Sequence, residues 1–267
     1  MATTFENFLR RSDLSKNTVS SYVWTVNYFE KTYGEFNKKN LLTYKGYVVE
    51  HFKPQTVNLR LQAVNKYLEF TKQDKLKMRF VKVQQKNFLE NVISNADYKF
   101  LKTSLMKDGC KDWYFVVWFM TATGARVSEL LQIKAEHVQA GHLDIYTKGG
   151  KVRRIYIPKT LQKEALQWLH ERCLNSGYIF LNRFGERITT RGIAMQLKHF
   201  AEKYGLKREV VYPHSFRHRY AKNFLDRFND LALLADLMGH ESIETTRIYL
   251  RRTANEQRQI VDKVVNW

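Results

Sequence analysis

Cysteine is nearly absent from this chain. The two that occur, Cys110 and Cys173, cannot build a disulfide framework and fall in no metal-ligand spacing such as C-x-x-C, so both are expected to be inert, reduced thiols. Proline is almost as scarce, with only Pro54, Pro158 and Pro213 to interrupt helices over 267 residues. No run of 18 apolar residues occurs, and Met1 to Asn7 lacks the basic-then-apolar order of a secretion signal. A soluble, intracellular protein with no membrane partner is expected. H-E-x-x-H, G-x-x-x-x-G-K-[ST] and carboxylates clustered at ligand spacing are missing as well, so neither a metal site nor a nucleotide cofactor is expected.

Acidic residues are outnumbered. The chain carries 45 Lys and Arg against 26 Asp and Glu, a formal charge of +19, and a surplus that large favours a polyanionic partner, nucleic acid first. The surplus is spread along the chain: 15 basic against 7 acidic residues over 1–85, and 30 against 19 after them. Scattered lysines can serve solubility alone, but two basic halves also suit a clamp closing on a duplex. Apolar residues make up 44% of the chain, enough for a sizeable core, and its length favours two domains over one.

Segments of 3.6-residue period between few breakers predict a mainly α protein with a small β-sheet. Ser15 is a candidate cap for a helix that buries Val19, Tyr22, Val23, Val26 and Phe29 and stops at Gly34. A second helix is expected over 41–52. A third starts near Pro54, with Val57, Leu61, Val64 and Leu68 in one stripe and Asn58, Arg60, Gln62 and Lys66 elsewhere. The charged stretch 71–85 marks the boundary, which gives a helical domain over 1–80, a linker over 81–87 and a second domain over 88–267. In the second domain helices are expected over 88–105, 113–122, 161–175, 191–204, 215–228, 231–238 and from Thr245 onwards, with a short helix near Arg126. Alternation in 142–146 and 153–157 around Lys148-Gly149-Gly150-Lys151 reads as a hairpin, and 178–181 as a short strand.

A few short segments of the second half hold residues suited to a phosphodiester, each with a plain structural alternative. Arg126, in T-G-A-R-V-S-E-L, opens a helix after Gly124; a guanidinium there can bind phosphate, or cap the helix and pair with Glu129. Lys148 sits in the hairpin turn T-K-G-G-K, where it could protonate a leaving oxygen or be an ordinary exposed lysine. His214 and Arg217, three apart in Y-P-H-S-F-R-H, share a face of a helix opened by Pro213, although H-x-x-R also arises by chance. His240 and Tyr249 lie nine apart across a turn into a helix; with 15 tyrosines, composition does not select Tyr249 over a buried structural one. Metal-free phosphoryl transfer needs arginine, lysine and histidine to neutralise the charge on pentacoordinate phosphorus, and that is the set present.

Taken in order, TGARVSEL, TKGGKVRR, PHSFRH and MGHESIETTRIY resemble the tyrosine recombinase (phage-type integrase) family, in the form of a minimal two-domain Xer-like member. DLSKNTVSSYVWTVNYF and TVNLRLQAVNKYLEF are similar to the family's helical core-binding domain. The resemblance implies a helical core-binding domain joined to an α+β catalytic domain. It implies that Tyr249 attacks a backbone phosphate to leave a 3′-phosphotyrosine, that Arg126 and Arg217 bind the non-bridging oxygens, and that Lys148 is the general acid. His214 would assist proton transfer and His240 would hydrogen-bond the phosphate. Two positions depart from the pattern: Lys151 is a second candidate acid and DNA contact, and Ala125 replaces a bulkier apolar residue.

The same resemblance implies double-stranded DNA sites as substrate, no cofactor, a cytoplasmic, nucleoid-associated location, and a homo-tetramer that exchanges strands through a Holliday junction. The tail 250–267, with Ile260, Val264 and Trp267 on one side, would dock on a neighbouring protomer or on its own domain. Lys16, Asn17, Asn58 and Arg60 are expected on the DNA-facing side of the first domain. A non-catalytic DNA-binding protein on this scaffold, or a type IB topoisomerase or hairpin telomere resolvase, are the competing readings; the six filled positions and the compact helical first domain favour the recombinase.

Overall fold

A computed structural model of the chain describes residues 4–84, 90–146, 152–240, 242–250, 258 and 261–265. The chain divides into two compact units, Met1–Gln85 and Lys86–Trp267.

In the first unit local chemistry sets each helix boundary. Helix α1 (Phe5–Arg11) begins where the Thr4 hydroxyl accepts from the Asn7 amide, and α2 (Lys16–Tyr33) where Ser15 accepts from Thr18. Gly34, at φ 77°, ends α2 as the sequence predicts. Helix α3 (Lys38–His51) starts three residues before its expected position because Asn37 caps the Asn40 amide, and α4 (Pro54–Phe70) has its proline in the first turn. Phe29, Leu41, Tyr44, Val48, Val57, Leu61, Val64 and Leu68 form the main core.

After α4 the chain does not leave this unit at once. Asn65 donates to the Met78 carbonyl at 2.9 Å and accepts from its amide at 2.8 Å, and Asn58 makes the same pair of bonds to Val81 at 2.9 Å each. A carboxamide has the donor and acceptor of a peptide group, so each asparagine pairs with one extended residue in both directions. The chain thus stays docked on α4 as far as Val81, the first residue of the expected linker, and the half-buried Asn58, expected on the DNA-facing side, bonds to the Val81 backbone.

The second unit is built around α6 (Lys111–Thr123), which follows α5 (Asn95–Lys107) and is buried at Phe115, Val116, Val117, Phe119 and Met120. The expected helix over 88–105 starts later, at Asn95, because Ser94 caps the Asp97 amide. Short helices α7 (Val127–Leu130) and α8 (Ala135–Ala140) lead into the antiparallel pair β1 (His142–Tyr146) and β2 (Val152–Tyr156), in register from His142 opposite Tyr156 to Tyr146 opposite Val152. Leu143, Ile145 and Ile155 point inward, and so does Arg153. Then come α9 (Lys159–Glu171), α10 (Thr190–Lys203), α11 (Pro213–Arg227), α12 (Leu231–Met238) and α13 (Ile243–Arg247), which runs into a single 3-10 turn over Ile248–Leu250.

The strand expected at 178–181 is reduced to isolated bridges, Lys134 to Tyr178 and Leu181 to Arg187. Helix α11 packs on α6. Ala221, Leu225, Leu234, Met238 and Tyr249 form a small core of their own. Of the expected tail helix, Leu250 lies in the 3-10 turn, Arg258 and 261–264 are helical, Val265 is not, and 251–257, 259–260 and 266–267 lie outside the described residues.

Candidate active site

Pro213 opens α11, so His214, Arg217 and His218 follow within its first turns at three- and four-residue steps that bring them to one face. Arg217 is almost wholly buried, at 1% exposure. Its guanidinium is held by the ends of two other helices: Nη1 donates to the carbonyl of Gly124, after α6, and Nη2 donates to that of Met238, closing α12, at 2.7 Å. Carbonyls at helix C-termini carry partial negative charge and suit a buried cation. Nη2 also lies 3.1 Å from Nε2 of His240. Burial, then the nearby Arg126 and Arg153, pull the Arg217 pKa down to about 10, so it stays charged at neutral pH.

Arg126 caps α7 and Glu129 sits three residues on, where its carboxylate accepts from the Arg126 amide at 2.7 Å and from Arg126 Nη1 at 2.8 Å. The capping and phosphate-binding alternatives therefore coexist: Arg126 is pinned on one side while Nη2 reaches the Gly239 carbonyl at 3.1 Å, and its side chain remains 40% exposed. Glu129 is shared. Arg153 Nη1 donates to both its oxygens at 2.8 Å, and Arg153 Nε donates to the Leu237 carbonyl at 2.9 Å. Burial would raise the Glu129 carboxyl, but Arg153, the Arg126 amide and the Arg126 guanidinium together hold it below the ordinary carboxylate range. The Arg153 side chain lies where a Cβ on residue 239 would stand, which with φ 60° explains why that position is Gly239. Two guanidiniums thus meet one carboxylate with Arg217 close by, and the positive charge is exposed to solvent at Arg126.

Tyr249 is 5% exposed, and its Oη lies 3.2 Å from Nδ1 of His218. The His240 ring is nearly parallel to that of Tyr249 with centroids 6.3 Å apart, and His240 Nδ1 meets the Thr246 hydroxyl at 2.7 Å. His214 stacks on His218 at 5.2 Å. Burial, then neighbouring cations and imidazoles, push His218 and His240 down to about 4, and burial, then Arg217 and Arg126, move His214 in the same direction. Burial raises the Tyr249 phenol against the opposing pull of Arg217 and Arg126. At neutral pH the pocket holds a protonated phenol beside neutral imidazoles, in the field of fixed guanidiniums. Such an arrangement can take up a phosphate and remove a proton from a hydroxyl.

Five of the six positions named from sequence, Arg126, His214, Arg217, His240 and Tyr249, are gathered in or beside this pocket. Lys148 and Lys151 lie outside the described residues. In the first unit Lys16 and Asn17 are exposed in the opening turn of α2, and Arg60 lies over the rings of Phe52 at 3.9 Å and Trp24 at 5.3 Å. Among the described residues no cluster of three His, Cys, Asp or Glu could hold a metal, and no helix is long and apolar enough to cross a membrane.

Arg153, His218 and Thr246 have no expected role in the sequence motifs, and Glu129 only a structural one. Arg153 did carry a signal: it shares strand parity with Ile155, and a charge on the inward face of a strand demands a buried partner. His218 follows Arg217 directly, but its nearness to Tyr249 depends on how α13 returns to α11.

Residues 85–256 match the model of the Phage integrase family. Tyrosine recombinase XerA of Pyrococcus furiosus is 30% identical to this chain, over 97% of it and 92% of its own length. Among solved structures, a lambda integrase dimer bound to a COC' core site matches with a TM-score of 0.71 at 15% identity, over 92% of each chain. XerH site-specific recombinase bound to difH substrate, in a pre-cleavage complex, matches at 0.68 and 22% identity, over 91% of this chain and 79% of that one. At these identities the structural likeness is one of fold.

Proposed function

Because this chain belongs to the phage integrase family and is a tyrosine recombinase, an enzyme that cleaves and rejoins DNA strands, we propose that Tyr249 is the nucleophile that carries the cut strand. Its oxygen attacks a backbone phosphate, leaving a 3′-phosphotyrosine and a free 5′-hydroxyl. The supporting observation is one pocket in which a buried phenol lies against a neutral imidazole beside His240, itself in contact with the fixed Arg217.

The roles follow from the chemistry of each group. Arg217 and Arg126 bind the non-bridging oxygens; both are charged and anchored before DNA arrives, so little reorganisation opposes charge build-up on phosphorus. His240, fixed through Thr246, hydrogen-bonds the same phosphate. His214 assists proton transfer around the nucleophile. Lys148 protonates the leaving 5′-oxygen, with Lys151 as the neighbouring second candidate. Since the ester is conserved in the phosphotyrosine, the reverse attack by a 5′-hydroxyl rejoins DNA without ATP.

The wider proposal is strand exchange between two DNA sites by a homo-tetramer, through a Holliday junction, with the tail 250–267 docking on a neighbouring protomer. The first unit binds the duplex, with Lys16, Asn17 and Arg60 as contacts. To test the nucleophile, binding sites selected from random duplexes are nicked so that the 5′ fragment is lost after cleavage. The wild-type protein is expected to form an SDS-stable adduct and Tyr249→Phe none; an adduct with the phenylalanine variant refutes the assignment.

A further inference from the structure

The family motif sets His214, Arg217 and His240 around the nucleophile and gives no part to the histidine one residue after Arg217. Yet Tyr249 Oη is hydrogen-bonded at 3.2 Å to that residue, through His218 Nδ1. Among the described residues His214 makes no hydrogen bond to the phenol; its ring stacks on His218, 5.2 Å away and inclined by 16°. We propose that His218 is a further catalytic residue of the strand-transfer reaction, the first acceptor of the Tyr249 proton, with His214 supporting it from the preceding turn of α11. The proposal rests on the reading of Tyr249 as the nucleophile.

The geometry suits one direction of transfer. With the proton of the imidazole on Nε2, the Nδ1 lone pair faces the phenol, and the hydrogen bond already spans the atoms between which the proton moves. In cleavage the Oη–H bond breaks and its proton goes to His218 Nδ1. The Oη–P bond forms, and the bond from phosphorus to the 5′-oxygen breaks as that oxygen takes a proton from the general acid. Rejoining runs these steps backwards, and His218 returns its proton to the departing phenolate. The groups facing His218 are His214 and Arg217 on α11, His240 after α12, and Tyr249. Burial, then His214, Arg217 and His240, hold the His218 pKa down to about 4, so the ring is neutral at neutral pH with Nδ1 free to accept, and a phosphate bound at Arg217 offsets the cation that otherwise opposes the imidazolium. The phenol beside it stays protonated until the attack.

The role of His218 is tested by single-turnover adduct formation by the full chain on nicked duplex, at saturating protein, with DNA affinity measured separately. His218→Asn keeps a hydrogen-bonding group near the phenol but cannot accept its proton, and His218→Ala leaves space for added imidazole. Both variants are expected to bind DNA normally and to cleave about a hundredfold more slowly. Imidazole should restore much of the rate to the alanine variant alone. A 5′-bridging phosphorothiolate, whose thiolate leaves unprotonated, should rescue Lys148→Ala and leave His218→Asn slow. Cleavage by His218→Asn within about twofold of wild type overturns the proposal, as does rescue of that variant by the phosphorothiolate. Should Tyr249→Phe still form the adduct, the parent reading fails; should it be inert while His218→Asn is fast, only the role of His218 falls.

Discussion

A buried imidazole that must stay neutral sets a cost on acidification. His218 and His240 are both pushed to about 4, against an ordinary value of 6.5, chiefly by burial. The unfolded chain therefore binds protons that the folded chain refuses. Stability from these residues is complete above about pH 6.5 and is lost as pH falls towards 4. Urea midpoints of the DNA-free protein are expected to drop across that window. His240→Asn, which does not titrate and can still bond Thr246, should make the drop shallower; an unchanged pH slope would show that His240 is not held neutral. At this scale the motif positions were legible only from their order along the chain, which resembles the family's; residue type alone did not single out one of 15 tyrosines. His218 and Thr246 were not, because a histidine and a threonine gain meaning there only from side chains brought in by α12 and α13.

At the scale of elements, the site depends on how β2 is tied to the end of α12. Arg153 projects inward from β2, binds both oxygens of Glu129 and holds the Leu237 carbonyl, while Glu129 holds Arg126. Breaking a buried ion pair from one side leaves the other charge stranded, at about 3 kcal/mol or more. Arg153→Met is therefore expected to lower urea-unfolding stability by about 3 kcal/mol and to slow adduct formation, since Arg126 and the backbone before His240 lose a common anchor. Arg153→Met combined with Glu129→Gln should recover part of the stability but not the rate. Equal stability of the single variant and wild type would contradict the account. Element boundaries were legible where a capping serine or a first-turn proline marks the helix start, as at Ser15 and Pro54. They were missed where a cap has no distinctive neighbours, as at Ser94, and where extended chain is held by distant amides, as at Asn58 and Asn65.

Over the whole molecule the +19 charge is the property that DNA meets first. Each phosphate contact removed should flatten the dependence of log affinity on log salt by roughly 0.9. Arg60→Ala is expected to show that change across all duplex sequences. Asn58→Ala should instead leave the slope alone and lower the melting temperature of the first unit, because it frees the Val81 amide and carbonyl. Reversed results would exchange their roles. The two-part, mainly helical architecture was legible from breakers and periodicity, and the basic character from composition. The target sequence was not, because base readout depends on side-chain placement that one sequence does not give. The central claim, that the phenol of Tyr249 becomes covalently joined to the 3′ end of a cut strand, is tested most directly by mass spectrometry. The trapped protein–DNA adduct is digested with nuclease and protease, and the peptide carrying the nucleotide remnant is identified. A 3′-linked nucleotide on Tyr249 is the predicted result; a remnant on any other side chain, or a 5′ linkage, would contradict it.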